Sequence, residues 1–230
     1  MNSLPQELVD TVIDSLPPSS LFSSSLVARR WRRRSQQRAL EKIKFLSEDQ
    51  VNRWCTDFPQ DPEGIASYAH VARFEDIDFW YDPTTPGRAL KSLGSLTELW
   101  LSCTKIPDEL PGQISRGELG NGITALCLWC PSCTLATMTS FILSLPNLKV
   151  LYILGSMVGS EGPLQSHPVT SQRAPLDSLE LWGDVGGIGN ALVESGFTFR
   201  RLSLEVDPWD VEPLIMRSSE TMVKLTLYGV

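Results

Sequence analysis

The chain has 230 residues and a formal net charge of −7, with 42% hydrophobic and 20% charged residues. That is enough apolar material for a core and too little charge for wholesale disorder; the net negative sign disfavours a general nucleic-acid or anionic-membrane binder. Sixteen Gly and sixteen Pro point to many short elements joined by turns, and no unbroken apolar run is long enough to span a bilayer. Glu7, Asp10 and Asp14 stand where a signal peptide would carry an apolar core, and five Cys are an odd number. The expectation is reduced thiols and a cytoplasmic or nuclear location.

Charge divides the chain. Residues 1–44 hold eight Lys/Arg against four Asp/Glu, a balance of +4, so the remainder carries −11. A basic head and an acidic body suggest two modules with different partners. In the head, Ser3 is placed to cap a first helix and Pro5 suits its first turn. Leu8, Val9, Val12, Ile13 and Leu16 recur at helical spacing, and Pro17-Pro18 stops that helix. Ser19 or Ser20 caps the next, with Leu21, Phe22, Leu26, Val27 and Trp31 facing inward. A third helical stretch is expected over roughly 35–45, with Leu40 and Ile43 on one side. Burying a Leu or Ile contributes about 1.5–3 kcal/mol, while ordering each residue costs about 1–2 kcal/mol, so this head needs a second surface.

Leu4-Pro5-Gln6-Glu7-Leu8, Ile13, Leu16-Pro17, Leu21 and Ser25-Leu26-Val27-Ala28-Arg29-Arg30-Trp31 together resemble an F-box over about 35 residues. The resemblance implies a three-helix module that docks on the Skp-type adaptor of cullin-RING ubiquitin ligases. It also implies that Leu4, Pro5, Leu8, Ile13, Leu16, Leu21, Leu26 and Trp31 supply the docking surface or the small core behind it. Ser24 stands where a larger residue or Cys is more usual.

Residues 46–70 read as a helical linker and cap for the body that follows. Ser47 and Gln50 form a capping box, and Val51 and Trp54 form the apolar side of a short helix. From residue 71 an L-x-x-L-x-L pattern with any large apolar residue recurs. It is found as Phe74/Ile77/Phe79, Leu96/Leu99/Leu101, Ile123/Leu126/Leu128, Leu148/Leu151/Ile153, Leu176/Leu179/Leu181, Phe199/Leu202/Leu204 and Met222/Leu225/Leu227. The intervals between middle positions are 22, 27, 25, 28, 23 and 23 residues. This spacing resembles irregular leucine-rich repeats, each a short strand with two inward residues followed by helix or turn. Helical stretches are expected at 135–145 and 188–194. The expected fold is therefore mixed α and β: an F-box at 1–45, a linker and cap at 46–70, and a solenoid of about seven repeats with a short-stranded parallel sheet at 71–230. After Leu227 the last strand is expected to need a partner on its edge or further chain.

The strand residues facing away from the apolar pairs hold the candidate target site. Trp80, Trp100, Trp129, Tyr152 and Trp182 form an aromatic stripe suited to a protein partner, with Asp78 and Glu180 favouring a basic one. The alternative is that loops cover these rings or that the rings stack on their neighbours. Three further motifs read as structural. Cys127-x-x-Cys130-x-x-Cys133 lacks a nearby fourth ligand, so small buried thiols are favoured over metal. Gly183, Gly186, Gly187 and Gly189 imitate a phosphate-binding turn, but Leu192 stands at the third glycine of that pattern. Arg29, Arg30, Arg32, Arg33 and Arg34 read as a solvated helix end, which disfavours nucleic acid as a partner. No cofactor, metal or catalytic constellation is signalled. The resemblance implies a substrate-recognition subunit: a Skp-type adaptor and cullin on one side, an unidentified target on the other. A repeat scaffold without ubiquitin transfer is the alternative, and a nucleic-acid binder comes third.

Overall fold

A computed structural model describes residues 4–58, 64–77, 84–115, 120–155, 175–183, 187–205 and 208–228. The head holds three helices: α1 (Gln6–Asp14), α2 (Pro18–Ser24) and α3 (Arg29–Leu40). Pro5 takes the N-cap of α1, and Pro17 and Pro18 open α2 rather than only ending α1. Pro18 sits at the first helical position, where its missing N–H leaves no bond unmade. Val9, Ile13 and Leu21 are fully buried and form their own small cluster, with Leu16, Trp31 and Ala39 packed on it. Ser24 is buried as well. Its hydroxyl donates to Leu21 O at 2.8 Å and lies 2.8 Å from the Ser35 hydroxyl, so two small residues let α2 and α3 approach closely.

The third helix ends at Leu40, earlier than the expected residue 45. After Glu41 alone, the chain enters a strand, β1 (Lys42–Phe45). Ile43 and Phe45 alternate toward the core as a strand requires, and Leu40 joins the same packing from the helix end. Seven further strands follow: β2 (Val71–Glu75), β3 (Glu98–Ser102), β4 (Ala125–Trp129), β5 (Val150–Leu154), β6 (Ser178–Trp182), β7 (Arg201–Glu205) and β8 (Lys224–Leu227). All eight pair in parallel, in chain order, within one sheet.

Six of the seven apolar triplets fall on β3 to β8 in matching register. The first does not. Ala72 pairs with Leu99 and Phe74 with Leu101, so the true unit is Ala69/Ala72/Phe74. The expected Phe74/Ile77/Phe79 is displaced by five residues. Two alanines hide the unit from a pattern that asks for large apolar side chains, and Ile77 imitates it from a turn that is itself buried. Leu40/Ile43/Phe45 is a unit too, concealed because it begins on a helix.

Helices α4 (Glu48–Asp57), α5 (Thr85–Ser92), α6 (Leu110–Gln113), α7 (Leu135–Ser144), α8 (Ile188–Glu194) and α9 (Pro208–Ser218) pack each on the next in a layer over one face of the sheet. Ser47 caps α4, its Oγ accepting from Gln50 N at 3.3 Å; the Gln50 side chain reaches back one residue beyond the expected capping box, its Oε1 accepting from Leu46 N at 2.8 Å. Trp54 on this helix is buried and donates its indole N–H to Ser92 Oγ at 3.0 Å. The main core lies between the layers, where Leu99, Leu101, Leu126, Leu128, Leu151, Ile153, Leu179, Leu181, Leu202 and Leu204 meet Phe141, Ile142 and Leu192.

One turn recurs at the C-terminal end of the strands. Asp76, Cys103, Cys130, Gly155 and Gly183 occupy the same slot on β2 to β6, each with positive φ. In each, the backbone N–H bonds the carbonyl of the next strand, from Asp76 N to Ser102 O at 2.9 Å through Gly183 N to Glu205 O at 3.1 Å. The slot is a left-handed one. Thr104 follows the turn after β3. Its buried hydroxyl contacts both Phe74 O at 3.1 Å and Ser102 O at 2.9 Å, tying β2 to β3.

Candidate functional site: two unpartnered surfaces

The head keeps a large apolar area in water. Leu8 and Val12 lie four residues apart on one side of the first helix, and Leu4 stands just before that helix; Leu4 and Leu8 are each 52% exposed. Phe22, Leu26 and Val27 are exposed too, Leu26 at 81%. The buried set and the exposed set alternate along α1, so the helix has two apolar sides. One packs on α3 and the other faces solvent. Single exposed Leu residues are ordinary, but six large ones within 24 residues are an interaction surface. The eight residues read from the sequence therefore divide. Ile13 and Leu21 are core, Leu16 and Trp31 are half-buried behind them, and Leu4, Pro5, Leu8 and Leu26 are outside.

The arginines of α3 divide likewise. Arg34 makes a two-pronged bond to Asp14, Nε to Oδ1 at 2.7 Å and Nη2 to Oδ2 at 2.6 Å. This hydrogen bond, with the charge of Arg34 and Arg38, holds the Asp14 carboxyl below its ordinary range. Arg30 Nη1 donates to Leu4 O at 2.9 Å, and Gln6 Nε2 reaches back to Arg30 O at 3.3 Å. These bonds clamp α1 onto α3 and fix where Leu4 and Leu8 are presented. Arg29, Arg32 and Arg33 are exposed and without an ion-pair partner among the described residues. A polar cleft of about 560 Å³ lies between head and sheet, lined by Asp14, Arg34, Arg38, Glu41, Tyr68 and His70. Its arginines hold carboxylates, Arg34 to Asp14 at 2.6 Å and Arg38 to Glu41 at 3.0 Å.

Residues 1–42 match the family model of the F-box domain. The chain thus carries an F-box at its N-terminus, and the exposed apolar side of α1 belongs to it. None of the curated proteins matches the chain. Ser24 departs from the expected pattern without breaking the F-box core, since its hydroxyl is satisfied by Leu21 O and Ser35.

The second surface is the sheet face opposite the helices. Across it the middle outward positions are Lys44, Arg73, Trp100, Cys127, Tyr152, Glu180, Ser203 and Thr226. Arg73 stands where the displaced register had put Asp78, so the expected acid gives way to a cation. Asp78 and Trp80 lie outside the described residues. The guanidinium of Arg73 sits 4.2 Å over the Trp100 ring, and the Trp100 indole N–H donates to the Glu98 carboxylate. Trp100 is thereby occupied by its own neighbours. Cys127 is almost wholly buried between Trp100 and Tyr152, which pushes its thiol up to about 12. Partial burial, then the Glu180 and Glu98 carboxylates, raise the Tyr152 hydroxyl.

Nearer the strand ends the picture changes. Trp129 is 51% exposed and Trp182 40%. Trp182 leans on Tyr228 with ring centroids 5.7 Å apart. Of the other sequence motifs, Gly186 lies outside the described residues. Cys127 faces the open side of β4, Cys130 occupies the left-handed turn, and Cys133 packs on the main core with its thiol pushed up to about 12 by burial. Among the described residues no three His, Cys, Asp or Glu side chains are gathered as a metal site. Gly187 is left-handed at the entry to α8, a turn between strand and helix. Among them, too, no helix is long and apolar enough to cross a membrane.

Proposed function

We propose that this chain is a substrate-recognition subunit of a cullin-RING ubiquitin ligase. The observation that carries the reading is the F-box with its apolar side uncovered. Val9, Ile13 and Leu21 satisfy the head's own core, and Leu4, Leu8, Phe22, Leu26 and Val27 remain for an adaptor of Skp type. The eight-stranded body acts as an irregular leucine-rich-repeat solenoid. It presents the open sheet face, with Trp129, Tyr152 and Trp182, to a target protein. The chain does positioning and no covalent chemistry. Holding adaptor and target on one frame raises the local concentration of target lysines near the ubiquitin carrier, which is an effective-molarity gain and needs no catalytic residue here.

Leu40 supports the rigidity this mechanism needs. The last F-box helix runs into β1 across a single residue, Glu41, and Leu40 packs into the main core. The distance from adaptor to target surface is then set by packed structure and not by a flexible tether. Mixing the chain with a Skp-type adaptor and a cullin tests the reading. Co-elution of all three on gel filtration supports it; a chain that elutes alone leaves a repeat scaffold without a ligase role.

A further inference from the structure

The open face carries an aromatic rim whose spacing suits one kind of ligand. Trp129 on β4, Leu154 on β5, Trp182 on β6, Glu205 on β7 and Tyr228 just after β8 stand in one row, because the registers align Trp129 with Leu154, Leu154 with Trp182, and Trp182 with Glu205. Neighbouring strands are about 4.7–4.9 Å apart, so Trp129 and Trp182 rise from backbones roughly 9.6 Å apart. Leu154 between them is half-buried and forms the floor. Beside that floor Gly155 and Gly183 pack closely: a β-carbon on Gly155 would lie 2.4 Å from Cys130 Sγ, and one on Gly183 would lie 3.1 Å from the Gly155 backbone. The Trp129 ring already lies close to Gly155, about where a β-carbon there would touch it, at 3.4 and 3.5 Å. Tyr228 backs Trp182 and makes the second wall thicker.

We infer that this groove binds a proline-rich segment of the target in the polyproline II conformation, with a basic residue of that segment at Glu180 and Glu205. A polyproline II chain advances about 9.3 Å per turn of three residues, nearly the spacing of two strands. Successive turns would therefore meet the row in phase: one proline between the indoles, the next beyond Trp182. The backbone of such a segment makes no internal hydrogen bonds, and an indole N–H is a ready donor to one of its carbonyls. Trp100 differs from Trp129 and Trp182 on this point, since its N–H is held by Glu98. The charge fits as well. Glu180 and Glu205 have no ion-pair partner among the described residues and flank the second wall, within a body that carries −11. Trp100 under Arg73 is the chain's own example of a cation held on this face by an aromatic ring. The inference rests on the target-binding role proposed above for the open face and names the class of segment it takes.

Fluorescence anisotropy with the full chain tests it. Three labelled ten-residue probes are compared: polyproline with a terminal Arg, polyproline with a terminal Glu, and a Gly-Ser repeat with a terminal Arg. The Arg–proline probe is expected to bind at least tenfold more tightly than the Gly-Ser probe and several-fold more tightly than the Glu–proline probe. Trp129→Ala and Trp182→Ala should each weaken it about tenfold, Glu205→Gln less, and Leu8→Asp not at all. Equal binding of the two Arg probes, no binding of either at millimolar concentration, or an unchanged affinity in a folded Trp129→Ala variant overturns the inference. Adaptor capture measured on the same samples separates the two readings. If capture persists while the proline probe fails, the ligase role stands and this groove falls.

Discussion

Truncating Ile13 to Ala should loosen the F-box and leave the sheet alone. Ile13 is fully buried in a cluster of its own, with Val9 and Leu21 the other fully buried members. Losing a buried Ile side chain to Ala costs about 2–5 kcal/mol through lost burial and the cavity left behind. So small a cluster has few other contacts to absorb the loss. At about 1.4 kcal/mol per factor of ten, amides of α1 to α3 that exchange by opening of the head should exchange roughly thirty to several thousand times faster. The main core shares no buried residue with this cluster, so the amides of β3 to β6 should keep their rates. Leu8→Ala is the control: it sits five residues earlier on the same helix, is half exposed, and should change stability by no more than about 0.5 kcal/mol. Hydrogen exchange read by mass spectrometry resolves the two regions in one experiment. If sheet peptides accelerate together with head peptides, the two cores are one cooperative unit and the reasoning is wrong. If neither region changes, Ile13 is not the keystone that its burial implies.

Other outcomes follow from the same contacts. Cys127 and Cys133 should resist iodoacetamide at pH 8 while the exposed Cys103 reacts, because burial pushes the first two thiols up to about 12. Since those values are raised, their contribution to stability is intact below about pH 9, the ordinary thiol range, and is lost as pH climbs toward 12; replacing both with Ala should flatten the alkaline limb of a denaturation series. Asp14 behaves with the opposite sign. Its lowered value means that the Arg34 pair supports the head above the ordinary carboxylate range and fails as pH falls through the folded value, and Asp14→Asn should abolish that acid limb at a cost of no more than about 1 kcal/mol at pH 7. Gly183→Ala should destabilise by about 1–3 kcal/mol in thermal melts, since φ is +93° and the added carbon would lie 3.1 Å from the Gly155 backbone.

Much of this architecture is legible in the residues because strand and helix write different periods. Leu99/Leu101 and their counterparts through Leu225/Leu227 announce the sheet, and α8 falls on its expected residues, 188–194. Where the reading failed, small or doubly used residues were responsible. Ala69 and Ala72 fill the inward positions of β2 without looking apolar enough, so the register slipped by five and set Asp78 where Arg73 stands. Leu40 ends a helix and packs into the main core just ahead of Ile43 and Phe45, which hid β1. Division of the F-box residues into core and contact surface was not legible either. Leu8 and Ile13 belong to one apolar stripe, and only the position of α3 decides which is covered. Likewise the fate of each tryptophan depends on its neighbours across the sheet. Trp100 has Arg73 and Glu98 beside it, whereas Trp129 has Leu154 and a glycine.

The account stands on the uncovered side of α1 meeting a second protein. Co-expression with a Skp-type adaptor, comparing the native chain with Leu8→Asp combined with Leu26→Asp, tests that directly. Both side chains are exposed, so the double variant should fold and melt like the native chain. Each new carboxylate would be buried unpaired in an apolar contact, at a cost of several kcal/mol. The account predicts that the native chain co-purifies with the adaptor in equal amounts and that the folded variant captures none. A native chain that purifies without the adaptor, or a folded double variant that still captures it, would contradict the account.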